Sequence, residues 1–170
     1  MMNRKGFTLI ELLIVVAIIG ILAAVGAVVI PNVLEGSKTT VLKSRHTAIV
    51  RHIGEYLVGC EVGGERYFYF VDYRNSNNYI DCQNNNWGLS SQFSEYYKTI
   101  YKNPYGALNG SWDHSTYFVD VNQIPTSCKA NEVGYSFLTA YNDPGGYFKF
   151  GTCYEEGLAP WYDEIQSLNK

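Results

Sequence analysis

The sequence predicts an α+β fold, with one long N-terminal helix followed by a smaller strand-rich region that contains antiparallel pairing. Three observations predict it. Residues 7–30 are apolar on every side of a helix and hold one ionisable residue, Glu11. Past Pro31, Leu34, Leu42, Ile49, Ile53 and Leu57 recur at spacings of 8, 7, 4 and 4, an apolar stripe of helical period. The remainder alternates aromatic and β-branched stretches with turn chemistry, the pattern of short strands.

A chain of 170 residues, 46% apolar and 17% charged, is of the size and composition of one folded domain. Its charge is divided. Residues 1–59 hold six basic against three acidic residues, and residues 60–170 hold seven against thirteen. The acidic C-terminal portion is a poor match for phosphate backbones, so no nucleic-acid partner is expected.

The apolar run of residues 7–30 reaches about 36 Å as a helix at about 1.5 Å per residue. That spans a hydrocarbon core of about 30 Å. Arg4 and Lys5 stand immediately before it, which keeps the N-terminus cytoplasmic and sends the acidic portion across the membrane. All four cysteines, Cys60, Cys82, Cys128 and Cys153, lie in that portion, as disulfides in an oxidising compartment require.

A signal peptide cut near Ala23–Ala27, an unprocessed anchor and the buried helix of a soluble protein would all use such a run. Glu11 fits none of them, because a carboxylate within an apolar span costs about 2.5–3.5 kcal/mol on insertion scales. No basic residue in 7–30 can pair with it. A cut before Phe7 would create an α-amino cation one turn away, and the same amine on a neighbouring copy could reach Glu11 in trans.

The stretch Lys5-Gly6-Phe7-Thr8-Leu9-Ile10-Glu11, continued by LLIVVAIIGILAA, resembles the class III signal of type IV pilins and type II secretion pseudopilins. The likeness runs from Arg4 to about Ala24. It implies that a prepilin peptidase cuts after Gly6 and methylates Phe7, and that Glu11 orients assembly. It also implies other pilin subunits and an inner-membrane assembly platform as partners. Many type IV pilins carry a helix-softening proline a few residues earlier than Pro31. Here Gly20, Gly26 and Pro31 are the helix-weakening positions, which makes local melting within a filament plausible without placing it. For Gly20, close packing of helices is an equal alternative.

Gly59 is expected to end the long helix as a left-handed C-terminal glycine. The basic residues Lys38, Lys43, Arg45 and Arg51 read as a solvated face, and His46 and His52 as surface groups on different sides of the helix. Residues 65–73 read as a strand and 75–86 as a loop. Leu89, Phe93, Tyr96, Tyr97 and Ile100 read as a short amphipathic helix, and 103–106 as a turn. Strands are expected over 115–121, 133–141 and 146–152. The last two are joined by Asn142-Asp143-Pro144-Gly145-Gly146 as a hairpin. The tail, with Trp161, Ile165 and Leu168, reads as one more short helix. Resemblance to pilins implies a small antiparallel sheet laid against the second half of the long helix.

Four cysteines permit three pairings. Cys60–Cys82 with Cys128–Cys153 is the expected set. Its second bond would enclose the hairpin, like the disulfide-bounded region of many pilins, although spacing alone does not select it. There is no nucleophile motif or phosphate loop, so no catalytic residue and no enzyme is expected. Asp143 has too few neighbouring carboxylates for calcium, and no metal or cofactor is expected.

The expected organisation is a leader over 1–6, a membrane and filament-core helix over 7–30, an amphipathic helix over 31–58 and a head over 59–170. The expected function is a structural subunit of a type IV pilus, held in the inner membrane with its head in the periplasm until assembly moves it outside the cell. A pseudopilin of a type II secretion system is the alternative, and a processed soluble periplasmic protein a more distant one.

Overall fold

The computed structural model describes residues 6–63, 67–72, 75–105, 116–118, 125–141 and 146–166. They form α1 (Leu9–Glu61), β1 (Tyr67–Val71), β2 (Asn77–Asp81), α2 (Asn86–Ile100), β3 (Thr116–Phe118), β4 (Ser136–Ala140), β5 (Tyr147–Thr152) and β6 (Trp161–Gln166). A 3-10 turn over Ala130–Glu132 precedes β4. The chain divides into two compact units, residues 1–38 and 39–170.

In the first unit, α1 runs unbroken past Gly20, Gly26 and Pro31. Pro31 has no N–H to donate to the carbonyl four residues back. Asn32 Nδ2 bonds the Val28 carbonyl at 3.4 Å, and Ser37 Oγ bonds that of Val33 at 2.7 Å.

In the second unit, Leu42, Ile49, Ile53 and Leu57 are buried along one face of α1, as the period predicts. Leu34, read as part of that stripe, belongs to the first unit and is exposed. Helix α1 also continues past Gly59 to Glu61. Gly63 is the residue with left-handed φ, +79°, a region that glycine enters without a Cβ penalty.

Two sheets pack with α1 and α2 around one core. The order β3-β4-β5-β6 forms the larger, with β4–β5 antiparallel, as the hairpin reading expects, β5–β6 antiparallel, and the short β3 parallel to β4 where an antiparallel sheet is expected. The smaller is the antiparallel ribbon β1-β2, in register Tyr69↔Tyr79. Alternation along β5 turns Phe148 and Phe150 inward against Ile49 and Ile53 of α1, Leu89 and Phe93 of α2, and Ile80 of β2. Full burial of each such side chain stabilises by about 1.5–3 kcal/mol.

Two elements differ from the sequence reading. Asn77–Asp81, read as loop, is strand β2: Ile80 enters the core, the Asp81 N–H donates to Gln92 Oε1 at 3.1 Å, and Cys82 is bonded to Cys60. Tertiary contacts there outweigh the poor strand propensity of asparagine. The chain reverses before it at Asn75, whose φ of +63° lies in the left-handed region that asparagine tolerates. The tail forms strand β6 rather than a helix, because its Ile165 side of the strand closes the core and its backbone completes the edge of β5. The junction over 142–145, with Asp143, lies outside the described residues, as do Leu168 and the ends of the strand expected over 115–121.

The disulfides Cys60–Cys82 and Cys128–Cys153 join residues 22 and 25 apart. In the chain-entropy account, crosslinks closing loops of this size each contribute about 3 kcal/mol.

Arg45 is buried, against the reading of a solvated basic face. Its Nη1 donates to the Lys102 carbonyl and its Nη2 to the Gly134 carbonyl, both at 2.8 Å, and the guanidinium lies 5.7 Å from the Tyr101 ring centre. Gly134 sits at φ +88° with the Asn103 side chain where a Cβ would project, so only glycine fits. Burial pushes the Arg45 pKa down to about 10, opposed by Tyr101, and the group stays cationic at neutral pH. Arg45→Ala removes one donor from each of two carbonyls. It is expected to destabilise the head by about 2–4 kcal/mol, measured as a lower urea midpoint for the detergent-solubilised chain.

Candidate functional site

The N-terminal segment is built by local rules. Gly6, Phe7 and Thr8 precede the first helical residue, Leu9, and all three are exposed. A Cβ added at Gly6 would meet nothing within 4 Å. Thr8 and Glu11 cap the helix reciprocally. The Thr8 N–H donates to Glu11 Oε2 at 2.8 Å, the Thr8 hydroxyl donates to the same oxygen at 2.7 Å, and the Glu11 N–H reaches Thr8 Oγ1 at 3.4 Å. This is a capping box, Thr-x-x-Glu, which satisfies two donors that a helix start otherwise leaves open.

The Thr-x-x-Glu spacing of the box stands in the sequence, where Glu11 also reads as an unpaired charge. Glu11 has a use within its own chain, and still has capacity beyond it. An ionised carboxylate offers about four acceptor positions, and Oε1 accepts no hydrogen bond among the described residues. The carboxylate sits in the first turn, where the helix dipole favours negative charge.

From Leu9 to Leu34 every large apolar side chain is exposed, from 46% at Val15 to 83% at Leu9. The helix is long and apolar enough to cross a membrane. An all-round apolar surface of this length demands lipid or other apolar helices. Gly20 and Gly26 lie within it, and Pro31 near its end.

The basic residues beyond it do not form a patch. Lys38 pairs with Glu35 at 3.0 Å and Arg51 with Glu55 at 2.7 Å, while Lys43 Nζ lies 4.8 Å from the centre of the Trp161 ring. Such exposed pairs contribute about 0–1 kcal/mol. His46 is buried and His52 half-buried, contrary to the surface titration expected of them. Burial pushes the pKa of each below that of free imidazole, with Asp163 opposing this at His46 and Glu55 at His52.

Comparison with known proteins bears on this same segment. The prokaryotic N-terminal methylation motif matches residues 1–27. The type IV wide pilus major component PilA4 of Thermus thermophilus is 68% identical over 38 residues, in the N-terminal region. Those residues are 22% of this chain, and they span 27% of the length of that relative. No solved structure matches the chain.

Proposed function

We propose that this chain is the precursor of a type IV pilin, cut after Gly6, methylated at Phe7 and assembled into a surface filament through α1. The observation that carries the reading is the methylation motif at the head of an exposed, membrane-length apolar helix. Residues 1–6 are then the leader, and 7–30 serve first as a membrane span and afterwards as filament core. Prepilin peptidase and an inner-membrane assembly platform are the partners of those two stages.

Glu11 carries the charge logic of assembly. In the subunit it holds Thr8, and its free oxygen faces the methylated amine of a neighbouring Phe7, a cation that exists only after the cut. Placing two charges in an apolar filament core is tolerable only when they pair. Gly20, Gly26 and Pro31 supply weak points where α1 yields as subunits pack. Paired cysteines favour a head outside the cytoplasm. The likeness to a pilus major component favours a pilus over a secretion pseudopilus.

Mass spectrometry of the N-terminus tests the reading. An N-methylated Phe7 start is expected, and a start near Ala27 would overturn it. Imaging of surface filaments in a deletion strain, beside a secretion assay, separates the two kinds of filament. Loss of filaments with normal secretion is expected, and the reverse pattern assigns the chain to the pseudopilus.

A further inference from the structure

A chain of hydrogen bonds crosses the interface between α1 and the larger sheet. Asp163 Oδ2 of β6 lies 2.8 Å from His46 Nε2, and His46 Nδ1 lies 2.8 Å from Thr152 Oγ1 of β5. Thr152 Oγ1 in turn lies 3.0 Å from Ser136 Oγ of β4. Thr152 and Ser136 are fully buried, and His46 is 5% exposed with its ring 4.9 Å from that of Phe150. A buried threonine of this kind is closed to any substrate, which removes a hydrolytic reading of the Asp-His-Thr order.

The directions of these bonds follow from chemistry. An ionised Asp163 only accepts, so the neutral His46 carries its proton on Nε2 and presents Nδ1 as an acceptor. Thr152 then donates to Nδ1, and Ser136 donates to Thr152. A second proton on His46 must enter at Nδ1, where Thr152 Oγ1 then accepts instead of donating. The Thr152 proton loses the acceptor it had, and it regains one within the series only if Ser136 stops donating to Thr152.

We propose that the series Ser136–Thr152–His46–Asp163 is an acid-sensitive latch that holds α1 to β5 and β6 while His46 is neutral. The charged groups around the ring are few. Asp163 of β6, its side chain 57% exposed, favours the cation. Lys43 of α1 lines the same open cleft of about 450 Å³, with its Nζ over the Trp161 ring. Strands β4 and β5 offer the ring hydroxyls and Phe150, and no charge; Lys149 of β5 is turned instead to the Tyr162 ring. Burial outweighs Asp163, so the folded chain binds the second proton less readily than the unfolded chain does. With the folded pKa depressed, the stabilisation is complete above the ordinary value of 6.5 and is lost as the pH falls below it. Half-buried His52, hydrogen-bonded to the Tyr97 hydroxyl at 2.7 Å, adds in the same direction.

The test is a proton NMR titration of His46 in the full chain in detergent micelles, with thermal unfolding followed over the same range. We expect His46 to titrate below 6.5, and lower still in Asp163→Asn, where the exposed anion that favours the cation is gone. The thermal midpoint should fall as the pH drops through that range. In His46→Gln the fall should be shallower. A wild-type His46 midpoint at or above 6.5, or an upward shift in Asp163→Asn, overturns the latch. An undiminished pH dependence in His46→Gln does so as well. If that variant does not fold, the two ring titrations decide alone.

Discussion

Gly6→Leu is expected to leave an uncut precursor held in the membrane, seen as an unchanged mass on a blot. The structure removes the competing explanation that the substitution harms the fold. A Cβ at Gly6 would meet nothing within 4 Å, and α1 starts three residues later from its own cap. No contact among the described residues requires glycine at this position. In the proposed reading a peptidase acts at the Gly6 carbonyl, where a missing side chain leaves access clear. Circular dichroism should show the helix content of the variant unchanged. A mature-sized product from Gly6→Leu would sink the proposed cut site.

Glu11→Ala is expected to be cut normally and to form few or no filaments. Two contributions are lost together, and they differ in size. Removing a cap of this kind costs about 0.5–2 kcal/mol of helix stability, confined to one turn of a 53-residue helix. In the proposed filament, losing the carboxylate would leave a neighbour's buried amine unpaired, a penalty of about 3–5 kcal/mol for a broken buried pair, repeated at every subunit. Glu11→Gln separates them. Glutamine keeps the capping geometry but not the charge. If the amine pairing governs assembly, Gln fails nearly as badly as Ala. Normal filaments with Gln would leave the cap as the residue's role and refute the pairing between subunits.

How much of this could be read in advance depended on where each interaction closes. The membrane-length half of α1 was legible because its signal is local and unbroken: no polar stripe, and one carboxylate. The Thr8–Glu11 box is equally local, three residues from donor to acceptor, and needed only to be looked for. The second half of α1 and the inward faces of α2 and β5 followed from period, since burial selects apolar residues every 3.6 or every second position.

Strands β2 and β6 were missed for one physical reason. Asn77-Asn78 and Asp163-Glu164 weigh against a strand when taken alone, and the elements exist because Ile80 and Ile165 reach a core assembled elsewhere. Arg45 and His46 read as solvated from sequence because charge on a helix normally seeks water. Their partners are the carbonyls of Lys102 and Gly134, 57 and 89 residues away, and the side chains of Thr152 and Asp163, 106 and 117 residues away. The sequence by itself thus determined the membrane-length apolar helix, the capping box and the methylation motif, all carried by neighbouring residues. Only the tertiary structure decided which polar side chains of α1 would be buried in the head, because a buried donor is stable only where distant backbone and side chains converge to accept from it.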